Sequence, residues 1–159
     1  MNAKDLVITR VFDAPRTLVF KAWTEPKRMQ RWWGPTGFTA PVVKIDPRPG
    51  GTFHGCMRGP DGKDYWSKGV YREIVEPERI VSTDSFSDAE GNLVSPTQFG
   101  MSAEWPEEAL LAVTLTERSG KTTLTMEHGI GSAPEQEREM CRQGWNETLD
   151  KLEAYLAAA

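Results

Sequence analysis

The chain has 159 residues, of which 38% are hydrophobic and 26% charged, and its net charge is −4. This balance excludes a disordered chain, allows one core within a single domain over residues 1–159, and supplies no positive field for nucleic acid or an anionic membrane. No apolar run is long enough to span a bilayer and no leader segment opens the chain, so no membrane insertion is expected.

Leu6 to Phe12 is β-branched and aromatic and reads as the first strand. Asp13 is positioned to cap a helix with Pro15 in its first turn, and Leu18, Val19, Ala22 and Trp23 follow at helical spacing. Thr24 and Pro26 restart a second short helix that ends by Gly34-Pro35. Lys27, Arg28 and Arg31 stand beside Trp32 and Trp33, a mixture that some single-strand binders use. No basic stripe elsewhere supports that use, so a solvated helix face and no nucleic-acid partner are expected.

Strands follow at Thr39–Ile45, Thr52–Arg58, Asp64–Val75 and Arg79–Phe86, separated by PRPGG, GPDG and a Pro77-Glu78 turn. Residues 87–108 carry Gly, Pro and Ser together with Phe99, Met101 and Trp105. A connection this long inside a compact domain is unusual and often acts as a lid. In the last hairpin, a turn at Ser119-Gly120 pairs Leu115 with Leu124, Val113 with Met126 and Leu111 with His128. Those six side chains then share the buried face, while Thr114, Thr116, Thr123, Thr125 and Glu127 face water.

The C-terminal helix begins at a Ser132–Glu135 capping box with Pro134 in its first turn. Cys141, Trp145, Leu149, Leu152 and Leu156 form one stripe, which runs back to Arg138 and loses its apolar character there. The fold class is therefore α+β: a curved antiparallel sheet of about seven strands around a long C-terminal helix, with two short helices after the first strand. A sheet bent around such a helix leaves room for an apolar cleft, rimmed by Trp33, Phe38, Phe99, Met101, Trp105, Met126 and Trp145.

Within that cleft His128 is the single candidate for a catalytic base or a hydrogen-bond donor to a ligand; a satisfied core histidine is the plainer alternative. Arg138 could meet an anionic ligand head or lie over apolar surface. Cys141 marks a place where the stripe is small. His54 and Cys56 alternate on one strand face without a third ligand, so no metal is expected. No phosphate loop or nucleophile signature is present, so no cofactor is expected and enzymatic activity is not the first reading. Cys56 and Cys141 lie far apart without a CxxC spacing, which points to a reduced, cytoplasmic protein.

Four stretches, RVFDAPRTLVFKAWTEPKRMQRWWGPTGFT, DPRPGGTFHGCMRGPDGK, GVYREIVEPERIVSTD and GWNETLDKLEAYL, together resemble the family of activator of heat-shock-protein-90 ATPase homologue-like proteins. The likeness is to bacterial single-domain members of the START, birch-pollen-allergen and polyketide-cyclase (SRPBCC) superfamily. It implies a helix-grip, START-like fold with a hydrophobic cavity between sheet and last helix. It also implies a choice of functions: binding a small hydrophobic molecule, cyclase, dehydratase or hydrolase chemistry, or activation of a chaperone ATPase. A small hydrophobic ligand is the first expectation, with a chaperone or a second copy of the chain as further partners. In similar proteins the second short helix covers the open end of the grip. Trp32 is then expected to anchor that helix and Trp33 to face the cavity mouth, the alternative being that both indoles pack in the core edge.

Overall fold

The structure is a computed structural model that describes residues 4–159. Strand β1 (Leu6–Phe12) leads into helices α1 (Arg16–Thr24) and α2 (Pro26–Met29), then β2 (Thr39–Ile45), β3 (Thr52–Arg58), β4 (Asp64–Val75) and β5 (Arg79–Ser87). A 3-10 turn at Pro96–Phe99 precedes β6 (Ala109–Arg118), β7 (Lys121–His128) and the long helix α3 (Glu135–Ala158). The seven strands form one sheet in the order β1-β7-β6-β5-β4-β3-β2, with every neighbouring pair antiparallel. The sheet curls around α3 as a helix-grip fold.

The register expected for the last hairpin is the one observed, with Leu111 opposite His128, Val113 opposite Met126 and Leu115 opposite Leu124. Leu6, Ile8 and Phe12 of β1 continue the same buried face. Strand β5 adds Ile80, Ser82 and Asp84 on the far side of β6. A bulge where β4 meets β5 tightens the curl between Tyr71 and Glu73. Gly69 lies at that crossing because any Cβ there would collide with the Thr83 carbonyl oxygen.

Charged side chains then fix α3 over the concave face. The Arg10 guanidinium donates to Asp150 at 2.8 Å, and Lys151 Nζ donates to the carbonyls of Gly34 and Phe38 at 2.9 and 3.1 Å. Burial lowers the Lys151 pKa from its ordinary value, so this ammonium is used to hold the 34–38 turn at some cost in solvation. Leu149, Leu152 and Leu156 are buried, whereas Cys141 and Trp145 are only half-buried. The C-terminal half of the helix belongs to the core.

Both expected helix caps are absent, for the same reason. Pro15 and Pro134 occupy the N-cap positions in extended conformation, so each helix starts one residue after its proline. Asp13 is then too far back, and Glu117 of β6 accepts the free Arg16 N–H instead at 2.8 Å. Ser132 turns away to donate to the Glu104 carbonyl at 3.0 Å. The connection 88–108 is likewise more ordered than an open loop. Asp88 accepts the N–H groups of Glu90 and Asn92, which knots residues 88–92 and holds the carboxyl below its usual pKa. Glu137 of α3 accepts the Ser102 N–H at 3.0 Å, so the second half is tied to the start of α3.

Candidate functional site

Helix α2 ends at Met29, short of the expected Gly34-Pro35, and Trp32 and Trp33 follow it in a turn, their N–H groups both bonded to the Met29 carbonyl and their side chains diverging. Trp32 is fully buried and its Nε1–H donates to the Ala22 carbonyl at 3.1 Å, which locks α2 onto α1. Trp33 is half-buried and packs edge-on against Trp145 at 5.4 Å and Phe53 at 5.8 Å between ring centres. Trp23 of α1 packs on both tryptophans, edge-on to Trp33 at 6.1 Å and stacked on Trp145 at 6.2 Å. Such aromatic pairs contribute roughly 0.5–1.5 kcal/mol each beyond their burial.

These rings border a partly open cavity of about 50 Å³ between the sheet and α3. Trp23, Trp33 and Trp145 form one wall; Phe53, Tyr71, Ile80, Leu111 and Val113 form the sheet side, and Ser82, Thr83 and Asp84 give it a polar edge. The Nε1–H groups of Trp23 and Trp33 are both buried without a hydrogen-bond acceptor. A buried donor left unmatched costs about 1–3 kcal/mol, and two of the rings in this wall carry such a donor.

The side chains expected to line the cleft do not all meet there. Trp33 and Trp145 are in the cavity wall. Phe38 and Phe99 belong to a separate aromatic row, each packing on Tyr65, and the row continues through Phe86 to Trp105. Met101 is half-buried beside it, its N–H bonded to the Pro96 carbonyl, and Met126 is wholly buried in the core. Arg138 turns to the backbone carbonyls of Ala133 and Lys4, at 3.0 and 3.4 Å, and is not in the cavity wall.

His128 and Cys141 meet beside the cavity, next to Asp84. The His128 ring is buried, with Nε2 2.9 Å from Asp84 Oδ2. Trp145 Nε1–H donates to Nδ1 at 3.3 Å, and Cys141 Sγ lies 3.8 Å from the same nitrogen. An indole can only donate, so in the neutral ring Nδ1 holds the lone pair and Nε2–H faces the carboxylate. Burial alone would lower the imidazole pKa; the hydrogen bond to Asp84 outweighs it, Cys141 adds to the effect, and the pKa rises to about 10. A second proton, at Nδ1, points toward the cysteine sulfur and displaces the indole.

Sequence reasoning missed Asp84, Trp23, Phe53 and Tyr71. Asp84 comes from β5, two strands away from His128 across β6, and no local spacing connects them. The unmatched indole donors have no sequence signal at all. His54 Nε2 lies 3.0 Å from the Asp88 carbonyl oxygen and its ring stacks on Trp66, away from any third ligand. Among the described residues, no three His, Cys, Asp or Glu side chains are grouped to hold a metal, and no helix is long and apolar enough to cross a membrane.

The family described as Activator of Hsp90 ATPase homolog 1-like protein matches residues 13–157. No curated protein matches the chain. Among solved structures, one from Mycobacterium smegmatis is 27% identical with a TM-score of 0.79, over 98% of this chain and 92% of that one. One from Chromobacterium violaceum is 26% identical with a TM-score of 0.76, over 98% of each chain. A solution structure from Arthrobacter aurescens is 25% identical with a TM-score of 0.81, over 99% of this chain and 88% of that one.

Proposed function

Since the chain belongs to the Activator of Hsp90 ATPase homolog 1-like family, in a fold suited to ligand binding or activator-like roles, we propose that it binds a small, flat, apolar molecule carrying a hydrogen-bond acceptor. The observation that supports this reading is the pair of unmatched indole donors, on Trp23 and Trp33, at the wall of an aromatic cavity. A carbonyl or ether oxygen between them would recover the lost hydrogen bonds, and the ring faces would stack on its flat body.

The cavity of about 50 Å³ suits a water or two, against roughly 300–1,000 Å³ for sites that enclose larger ligands. Entry therefore needs a wall to move. Trp33 is the mobile candidate, because it is half-buried and its indole N–H is tied to nothing.

A matched pair of probes tests the reading. 2-Acetylnaphthalene and 2-ethylnaphthalene have nearly the same shape, and only the first has an acceptor. Titrated against intrinsic tryptophan fluorescence, the ketone should bind about tenfold more tightly, the equivalent of one recovered hydrogen bond. Trp33→Phe should narrow that gap. Equal affinity for both probes, or no binding of either, would refute the proposal.

A further inference from the structure

Asp84, His128 and Cys141 are placed in line, and the ligand reading above does not use that order. The carboxylate holds Nε2–H at 2.9 Å, and the opposite ring nitrogen faces the sulfur at 3.8 Å. Nucleophile, base and a third group that orients the base are the parts that make a side chain nucleophilic, whatever the fold. The other thiol offers a contrast: Cys56 is fully buried, has no histidine partner in this arrangement, and burial pushes its pKa up. Cys141 is half-buried rather than fully enclosed.

We infer that Cys141, activated by His128 and Asp84, forms a reversible covalent bond with a conjugated carbonyl compound, an aromatic enone or enal. The geometry gives each group a role. At pH 7 His128 carries a proton on each ring nitrogen, so Nε2–H is bonded to Asp84 and Nδ1–H faces and stabilises a Cys141 thiolate whose own proton has gone to solvent. The thiolate attacks the β-carbon of the enone; an S–C bond forms, and the C=C electron pair moves to give an enolate. The imidazolium then gives its Nδ1 proton to the α-carbon and takes another from solvent, leaving a saturated ketone joined through a thioether. Nothing is oxidised or reduced, and the reverse steps release the enone.

Trp145 adds a switch to this sequence. Its indole N–H occupies Nδ1 in the neutral ring at 3.3 Å, and it loses that acceptor once Nδ1 is protonated. The freed donor then stands beside the sulfur while negative charge develops on the ligand's oxygen. A polarisable thiolate prefers a soft carbon electrophile, and flat conjugated carbonyls match the aromatic wall. The choice of ligand class thus rests on the cavity reading; the activation of Cys141 does not.

The test uses benzylideneacetone and its saturated analogue 4-phenylbutan-2-one, with the full chain at pH 7. Intact-mass and peptide analysis should find one added enone, on Cys141, formed at least about tenfold faster than on the urea-unfolded chain. His128→Gln should abolish that acceleration. Asp84→Asn should reduce it and also shift the rate-versus-pH profile, since the groups facing the ring are Asp84, Cys141 and the indole of Trp145. A folded chain that reacts no faster than the unfolded one, or a rate unchanged in His128→Gln, overturns the inference. If either variant fails to fold, the folded-against-unfolded comparison of the natural chain decides. Fluorescence titration with the saturated ketone reads cavity binding without bond formation, so failure of the thiol chemistry and failure of the binding proposal are told apart.

Discussion

Trp32→Ala is expected to cost about 3–5 kcal/mol of stability, while Trp33→Ala, one residue on, costs roughly 1–2 kcal/mol. The two side chains are chemically identical, so the difference comes from their surroundings. Trp32 is wholly buried, touches Trp23 and Trp33 with ring centres 4.9 and 5.6 Å away, and gives its N–H to the Ala22 carbonyl. Its removal leaves a large void between α1 and α2 and an unmatched carbonyl. Trp33 has no hydrogen bond to lose and already borders a cavity. Urea denaturation of both variants measures the gap. Equal losses above about 3 kcal/mol would make Trp33 a core residue and remove the movable wall.

Stability should also fall as the solution is made alkaline, through His128. Its pKa is about 6.5 in the unfolded chain and about 10 in the folded one, so the folded state retains a proton that the unfolded state has already lost in this interval. The slope of unfolding free energy against pH is then negative. The contribution is fully present below about pH 6.5 and disappears as pH rises through about 10, amounting to a few kcal/mol. Groups packed on the ring are Asp84, Cys141 and Trp145, whose indole can donate to Nδ1 only when the ring is neutral. Denaturant midpoints at pH 6 and pH 9.5 should differ strongly in the natural chain and much less in His128→Gln. Parallel profiles would show that His128 keeps its ordinary titration.

Most of the architecture was legible because it depends on local pattern. Alternation in 111–128 determined which hairpin residues face inward, and the four-four-three-four spacing from Cys141 to Leu156 gave the helix face. The helix caps were misread because Ser132 and Asp13 are good capping residues in isolation. Here Pro15 and Pro134 shift each start forward, and partners distant in sequence take over, such as Glu117 for α1.

The site was legible only in its aromatic members. Trp33 and Trp145 could be placed from their elements, yet Phe38, Phe99 and Trp105 form a row of their own, because Tyr65 of β4 and Phe86 of β5 gather them there. Arg138 could not be placed from the stripe, since the turn before α3 offers it carbonyls at close range. Asp84 required the full strand order. A carboxylate two strands from its histidine is invisible to any local spacing rule.

The most direct test of the acceptor-binding claim is the set of indole N–H resonances in a proton–nitrogen correlation spectrum. The chain has six tryptophans, each giving one such signal. On addition of 2-acetylnaphthalene, the Nε1–H signals of Trp23 and Trp33 should move downfield together as they gain an acceptor, while that of Trp32, already bonded to Ala22, stays in place. Unmoved signals for Trp23 and Trp33, or changes confined to Trp66 and Trp105, would contradict the account.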